Sequence, residues 1–467
     1  MEAQGTPITV TPELLIKYDR PGPRYTSYPT AVEFSDSYTE ADYRAALEEA
    51  ASRRHEPLSL YLHLPFCEER CTFCGCNVVI TRKRPVAAEY LQYLHREIRA
   101  VAALLGGRRN IVQYHWGGGT PTYHSPAAMR ALQAVVREHF DIPPDAEIAI
   151  EIDPKVTTRE QIDTLKELGF NRLSMGVQDF APEVQRIVNR NQTEEETRVL
   201  YDYCRSAGFH SINLDLIYGL PRQTVPAFAR TLDSVIGLRP DRVAVYSFAH
   251  VPWIKGNQKV IDVADLPSPQ AKMELFCLAR EAFLRAGYRA VGMDHFALPE
   301  DELSQAIENR TLHRNFMGYT VKAAPDVVGL GISAIGDVSN AYAQNVKKLT
   351  AYYRALDQGR LPVERGYRLS QDDLIRRFVI TQIMCNFYLD KRAVNDRFGI
   401  DFDRYFAGEL AELGAPDGPV AHGFLTLGEQ ALELTPRGRL FVRNIAMIFD
   451  RYLKQKAADK PVFSRTV

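Results

Sequence analysis

Four cysteines fall within ten residues, Cys67-x-x-x-Cys71-x-x-Cys74-x-Cys76, and no other feature of this 467-residue chain limits its fold and chemistry so tightly. They follow an apolar, strand-like run, Leu58-Ser-Leu-Tyr-Leu-His-Leu-Pro-Phe66, so the sulfurs sit on a loop leaving a strand end. Three thiolates separated by three and then two residues can wrap one compact metal centre. Structural zinc sites usually pair two C-x2-C knuckles from separated places in the chain, and this sequence has no second knuckle. A three-cysteine loop instead suits a cubane iron–sulfur cluster with one iron left unligated, where a substrate or cofactor binds. Unrelated thiols are the bland alternative, but free cysteines scatter and these do not.

The length suggests two or three domains. Apolar content of 45% and charged content of 25% are ordinary for a globular protein. No stretch approaches the ~18 continuous apolar residues of a membrane span, and Met1-Glu-Ala-Gln-Gly-Thr-Pro7 has neither the basic leader nor the apolar run of a signal peptide. The remaining cysteines, Cys204, Cys277 and Cys385, are isolated, so no disulfide framework is expected and a reducing cytoplasm fits. A net charge of −1 provides no global field for nucleic acid. An acidic substrate therefore has to be met by local arginines and lysines.

From about residue 55 to 300 strand and helix patterns alternate. Strand-like runs occur at 58–66, Ile111–Trp116, Glu147–Ile152, Arg172–Val177, Ser211–Ile217 and Arg242–Ser247. Leu91, Leu94, Ile98, Val101 and Leu105 recur at helical spacing and make one apolar face. Six β-α units in series predict an α/β fold with a parallel sheet, open or curved into a partial barrel, with ligands at the C-terminal strand ends. After about residue 365 helical segments, Asp372 to Leu389 and Arg439 to Lys454, flank a hairpin formed by Gly423–Gly428 and Leu432–Pro436. That combination predicts a mainly helical, winged-helix-like unit, without the basic stripe of a DNA reader. The first 55 residues, with Pro21-Gly-Pro-Arg-Tyr-Thr-Ser-Tyr-Pro-Thr30, are expected to run extended over the barrel. The expected division is 1–55, 56–365 and 366–467.

The polar residues that stand out lie at strand ends. Trp116-Gly-Gly-Gly-Thr-Pro-Thr122 ends the second strand, and its missing Cβ atoms let a ligand approach the backbone and its amides point inward. Glu151 ends the third strand as a candidate acceptor for hydroxyl or ammonium groups; Asp153 shares its face. Gln178 and Asp179 end the fourth, Arg190 follows, and Asp215 inside an apolar strand would be costly to bury without a partner. Tyr61 and His63 precede the cysteine loop, either as packed aromatics or as site residues. The pairs Asp294-His295 and His313-Arg314 read equally as structural polar groups or as cavity contacts.

The spacing C-x3-C-x2-C, with Phe73 just before the third cysteine, resembles the signature of the radical S-adenosylmethionine (SAM) enzymes. The resemblance implies that Cys67, Cys71 and Cys74 hold a [4Fe–4S] cluster whose fourth iron chelates SAM. It leaves Cys76 near the site as a non-ligand. Gly118, Gly119 and Thr120 are similar to the superfamily motif that meets the methionine amino group.

Longer stretches resemble the oxygen-independent coproporphyrinogen III oxidases. They are Arg24-Tyr-Thr-Ser-Tyr-Pro-Thr30, Gly75-Cys76-Asn77, His115–Thr122, Gly176-Val-Gln-Asp-Phe180, Asp215–Pro221 and His313-Arg-Asn-Phe316. That likeness implies a radical SAM partial barrel and two SAM molecules. The SAM at the cluster would contact Tyr61, Phe73, Gly118, Glu151 and Ile335. The second would contact Gly119, Thr120, Gln178, Arg190, Asp215 and Ala249. After Ile335 the chain continues Gly336-Asp337 where the family often has serine. The implied reaction turns two propionates of coproporphyrinogen III into vinyl groups, giving protoporphyrinogen IX for haem biosynthesis. Arg24 is the candidate for a substrate carboxylate and for closing the site. The resemblance also implies a cytoplasmic monomer, with its electron donor and acceptor unassigned. A haem chaperone and a haem-degrading methyltransferase are the alternative readings. The chaperone typically lacks the long N-terminal segment and the Gly75-Cys76 extension, and this chain has both.

Overall fold

Alternating burial along the strands dictates the architecture. The structure, a computed structural model, describes residues 10–455 and 463–466; the Met1–Pro7 opening lies outside the described residues. Six strands, β1 (Leu58–Leu64), β2 (Ile111–Gly118), β3 (Glu147–Ile152), β4 (Arg172–Gln178), β5 (Ser211–Tyr218) and β6 (Arg242–Ser247), pair in parallel in that order. Each is followed by a helix that covers the outer face: α1 (Arg84–Leu104), α2 (Pro126–His139), α3 (Arg159–Glu167), α4 (Glu194–Ser206), α5 (Val225–Leu238) and α6 (Pro269–Arg285). On β5, Ile212, Leu214 and Leu216 are fully buried, whereas Ser211, Asn213 and Asp215 keep partial exposure on the opposite face. The interior of the barrel is therefore the polar face, as a ligand site requires.

Beyond β6 the sheet continues through β7 (Arg289–Val291) and β8 (His295–Ala297); on the other side of β1 it continues through β9 (Asp326–Leu330), β10 (Ile335–Val338), β11 (Ala341–Asn345) and β12 (Val363–Arg368). The full order is β12-β11-β10-β9-β1-β2-β3-β4-β5-β6-β8-β7, an incomplete barrel with β7 and β12 as edges. Only β9 joins the six as a parallel partner; the rest are antiparallel. Among the described residues no helix is long and apolar enough to cross a membrane.

The N-terminal segment departs from a purely extended course. Helices Pro12–Tyr18 and Glu40–Ala51 flank it, and only the stretch between them crosses the barrel mouth without regular structure apart from one short turn. Tyr25 and Tyr28 are buried there; Tyr25 donates to Asp450 Oδ2 at 2.9 Å, and Tyr342 donates to the Tyr28 carbonyl at 3.2 Å.

The C-terminal helices are shorter than their periodicity predicts. The first spans Gln371–Asn386 and stops where Phe387 turns left-handed (φ 54°), which frees Tyr388–Asp390 to pair with Ala431–Leu434. The expected Arg439–Lys454 helix is three pieces, Pro436–Leu440, Val442–Ile448 and Arg451–Gln455. Two constraints break it. Gly438 packs directly on the Phe424 backbone, and Asp450 accepts from Tyr452 N (2.9 Å) and Leu453 N (3.3 Å), restarting the helix after a turn.

One buried ion pair ties the sheet to its flank. Arg108, with a fully buried side chain, donates to Asp326 Oδ2 at 2.5 Å and to the carbonyls of Glu56 and Pro57 at 2.9 Å. Arg53 and the Ser339 N–H also reach Asp326, at 2.8 and 2.7 Å. Arg108→Met takes from a buried carboxylate one of its three partners and is expected to cost about 3 kcal/mol of barrel stability, read as a lower urea midpoint. An unchanged midpoint would show the pair to be dispensable.

Candidate active site

The cysteine loop begins where β1 ends at Pro65, and the first contact that shapes it comes from β2. Gly118 has φ 116°, and a Cβ there would meet the His63 ring at 2.6 Å. A Cβ on Gly119 would meet the Pro65 carbonyl carbon, also at 2.6 Å. Gly119 N donates to Leu64 O and Thr120 N to Phe66 O, both at 2.9 Å, while Gly118 N donates to Glu151 Oε2 at 3.0 Å. The expected inward-pointing amides are thus all engaged within the protein. The turn has acceptors to offer, namely carbonyls and the Glu151 carboxylate, which is the chemistry an ammonium group needs.

Cys67, Cys71 and Cys74 are free thiols of intermediate exposure. Cys67 Sγ lies 3.4 Å from Thr120 Oγ1, and Arg190 Nη1 lies 3.9 Å from Cys71 Sγ. Both cysteines line a cavity of about 130 Å³ with Thr120, Asp153 and Arg190. Burial pushes the Cys67 thiol up to about 11 and raises Cys71, while a hydrogen bond from Cys76 brings Cys74 down to about 6. Cys76 is exposed, and its contact with Cys74 raises its own thiol. Among the described residues no three donors converge as a single-ion site. Three free thiols on one loop, two of them lining the same cavity, fit the donor set of a cluster with one iron left open.

Carboxylates gather beside this loop. Glu151 Oε1 is 3.5 Å from His115 Nε2, and His115 stacks on Tyr61 with ring centres 5.9 Å apart. Burial opposes the Glu151 charge, but the His115 ring and the Gly118 N–H outweigh it and hold the carboxyl below its ordinary value. Tyr61 OH bonds His63 Nδ1 at 3.0 Å, and His63 Nε2 meets the Asn77 carbonyl at 2.9 Å, so His63 holds the loop's far end. Asp153 pairs with Arg190 at 3.3 Å, and Arg190 also donates to Gly176 O at 2.8 Å. Asp215 accepts from Ser174 (3.0 Å) and Asn213 (2.8 Å); burial, reinforced by the charge on Glu151, pushes it up to about 6. Gln178 is buried at a left-handed position (φ 67°) beside Arg190. Asp179 points away: it is buried and takes up Thr231 and Gln223, each at 2.7 Å, so it belongs to the scaffold. Ile335 sits on β10 with its carbonyl against Gly329, the register partner of Tyr61.

The opposite wall is basic. Arg24 reaches in from the N-terminal segment, donates to Ser247 O at 3.0 Å and lies 3.5 Å from Asp294 Oδ2. Arg314 donates to the Arg24 carbonyl at 2.7 Å, and its Nε is buried without a hydrogen-bond partner among the described residues. His295 bonds Asp294 at 2.7 Å; burial opposes the Asp294 charge, yet His295, Arg314 and Arg24 hold that carboxyl at about 2. His313, by contrast, is driven down to about 4 by burial and is a neutral structural ring.

Two residues that sequence reasoning passed over organise the loop. Asn257 Nδ2 donates to the carbonyls of Cys71, Thr72 and Cys74 at 3.3, 2.9 and 3.1 Å. Gln258 Nε2 bridges the carbonyls of Phe73 and Ala249, each at 3.0 Å, and its Oε1 accepts from Val251 N at 2.6 Å. They stand about 185 residues from the carbonyls they hold, and neither carries a motif. His115 had a signal, being two residues before the triple glycine on the same strand face.

A model of the radical SAM superfamily matches residues 61–235, and one of the HemN C-terminal domain matches 369–441. The oxygen-independent coproporphyrinogen III oxidases of Salmonella typhimurium and Escherichia coli K12 are each 47% identical over 455 residues, covering 97% of this chain and 98% of theirs. The solved structure of coproporphyrinogen III oxidase (HemN) from Escherichia coli, described as a radical SAM enzyme, superposes with a TM-score of 0.88 at 46% identity, covering 94% of this chain and 98% of that one.

Each amide-to-carbonyl bond is worth about 1 kcal/mol, so Asn257→Ala should speed chelator-driven iron loss from the reconstituted protein about tenfold. Cys76→Ser should keep the full iron complement. Iron loss equal to that of Cys74→Ser would make Cys76 a ligand.

Proposed function

This chain belongs to the oxygen-independent coproporphyrinogen III oxidases, and we propose that the two walls of its barrel mouth divide the work of that reaction between them. The enzyme carries a [4Fe–4S] cluster and SAM, and it converts coproporphyrinogen III to protoporphyrinogen IX. Each of two propionate side chains loses one β-hydrogen, one CO2 and one electron to become a vinyl group. When bound, the cluster and SAM supply the 5′-deoxyadenosyl radical that takes that unactivated hydrogen, a step beyond any side-chain base at neutral pH.

The observation that carries this division is electrostatic. Glu151, Asp153 and Asp215 stand on the strands beside the cysteine loop, Asp153 paired with Arg190, while Arg24 and Arg314, whose Nε has no hydrogen-bond partner among the described residues, gather around Asp294 on segments outside those strands. SAM is a cation at its sulfonium and ammonium groups; coproporphyrinogen III carries several carboxylates. Opposite charges therefore sort the two ligands to opposite walls before any shape is compared. On this reading Cys67, Cys71 and Cys74 hold the cluster. Tyr61, Phe73, Gly118, Glu151 and Ile335 surround the SAM bound there. The Glu151 carboxylate accepts from its ammonium group, and the Tyr61 ring, braced by His115 and His63, packs beside it. Gly119, Thr120, Gln178, Arg190, Asp215 and Ala249 surround a second SAM. Arg24 pairs a substrate carboxylate, and because it is tethered to Ser247 O, its segment closes the mouth and keeps water from the radical. The same reading makes the protein a cytoplasmic monomer that draws on an external electron donor and acceptor.

The direct test is anaerobic: reconstituted protein, SAM, dithionite and coproporphyrinogen III, with products followed by mass. Stepwise loss of two carboxyl groups with 5′-deoxyadenosine formed is expected; SAM cleavage with every carboxyl retained would overturn the reading. Arg24→Ala should raise the substrate KM about tenfold through a lost charge-assisted bond and leave SAM cleavage intact; an unchanged KM would remove Arg24 from substrate binding. Because its carboxyl is pushed up to about 6, Asp215 holds its proton below that pH and is an anion above it. SAM affinity, measured by calorimetry, should therefore climb from pH ~5 to ~7 and level off, and Asp215→Asn should abolish the climb. A flat wild-type profile would exclude Asp215 from the SAM site.

A further inference from the structure

The segment that holds the cysteine loop from behind turns an apolar face to solvent. Trp253 and Ile254 are each 55% exposed, Val260 73% and Val263 68%. Ten large apolar side chains are exposed among the described residues, and four of them fall within these eleven positions, whereas the others are single. Scattered exposed residues need no explanation; a cluster does. The segment is not loose. Two short 3-10 turns, Gly256–Val260 and Val263–Asp265, shape it, and Gln258 (1% exposed) and Ile261 (5%) anchor it inward.

Its rim is basic. Lys255 and Lys259 belong to the segment, and Arg70 on the cysteine loop adjoins it; Lys259 and Arg70 are exposed. None of the three has an ion-pair partner among the described residues. Of the nearby acids, Asp265 is paired with Arg222 at 2.9 Å, and the exposed Asp262, which caps Ala264 N at 2.9 Å, is outnumbered by the three cations. Directly beneath, Asn257 and Gln258 hand four hydrogen-bonded contacts to the carbonyls of Cys71, Thr72, Phe73 and Cys74. The path from this face to the cysteine sulfurs is thus a few bonds of well-ordered protein.

We propose that Trp253, Ile254, Val260 and Val263, ringed by Arg70, Lys255 and Lys259, form the docking surface for a small acidic one-electron carrier protein that reduces the cluster. The proposal rests on the radical reading above, in which the cluster must be reduced before SAM is cleaved. The carrier gives up one electron and the cluster takes it up; no bond forms or breaks. An apolar centre with a charged rim is the general anatomy of a transient interface. The lysine and arginine charge selects an acidic partner and speeds its encounter. A membrane or a second copy of the chain would use the apolar face without needing the cluster beneath it.

The test uses a purified acidic flavodoxin as probe and the reconstituted enzyme. Binding is measured by calorimetry at low and high salt, and cluster reduction by visible absorbance, with reduced flavodoxin or with dithionite. Binding should weaken with salt. Lys255→Glu with Lys259→Glu, and separately Trp253→Ser with Val260→Ser, should each weaken Kd at least tenfold and slow flavodoxin-driven reduction alike. Reduction by dithionite, and dithionite-driven conversion of coproporphyrinogen III, should stay at wild-type levels. Unchanged flavodoxin affinity in both pairs would overturn the proposal. So would equal loss of the dithionite reaction, which would make the segment only a brace for the loop. Self-association of the wild type that disappears in the apolar pair, with flavodoxin affinity retained, would hand the face to a second copy. If dithionite supports no conversion by the wild type, the functional reading fails, and flavodoxin affinity still reports on the surface.

Discussion

The close approach of the Gly118–Gly119 turn to the exit of β1 fixes the coordinates of everything at the barrel mouth. Backbone meets backbone there at distances no Cβ tolerates, so the start of the cysteine loop and the end of β2 move as one body. The hydrogen bonds from Gly119 and Thr120 to Leu64 and Phe66 lock the pair, and the bond from Gly118 carries the lock to Glu151 on β3. The cysteine loop, a carboxylate and an aromatic ring are thereby held in register by main-chain geometry. Side-chain rotamers contribute little freedom, since His63 and His115 are themselves tied to Tyr61, Asn77 and Glu151.

Around that lock the charges are segregated. The parallel strands raise carboxylates beside the cysteines. The guanidinium groups come from elements that arrive last in the chain or from its start: Arg314 from a hairpin after β8 and Arg24 from the N-terminal segment. Arg443 shows how the two ends are joined: its Nε and Nη1 donate to Pro23 O at 3.1 Å and Arg465 O at 3.0 Å, and Nη2 to Gly22 O. A buried guanidinium satisfied by three carbonyls holds the Arg24 segment; burial and the nearby Arg24 charge bring Arg443 itself down to about 9. The C-terminal unit therefore holds, through Arg443, the strap that bears Arg24.

Much of the candidate site was legible in residue type and spacing. The cysteine triad, the triple glycine, Glu151 and Asp215 each break a local rule, such as a glycine run or a carboxylate in an apolar strand, and such breaks nominate candidates, which the structure gathers at one barrel mouth. Strand periodicity was legible because a sheet with one face packed under helices and the other lining a polar interior imposes alternation along each strand. The helices after residue 370 were overcalled because periodicity registers an apolar face and is blind to a tertiary contact such as Gly438 on Phe424. Asp179 looked equal to Gln178 in sequence, yet the left-handed turn at Gln178 swings the two apart, one beside Arg190 and one to Thr231 and Gln223.

The sequence by itself determined the class of chemistry: three sulfurs on one loop, carboxylates on neighbouring strands, and a parallel barrel. These follow from local spacing, because three residues of loop or two residues of strand fix where neighbouring side chains can point. Only the tertiary structure decided which distant groups complete the site. Asn257 and Gln258 reach the cysteine loop, Arg314 meets Arg24, and the glycine N–H groups are spent on β1 and Glu151 rather than on a ligand. Those pairings span up to some 290 residues, and no local pattern encodes which carbonyl will be left for an amide to find once the barrel has closed.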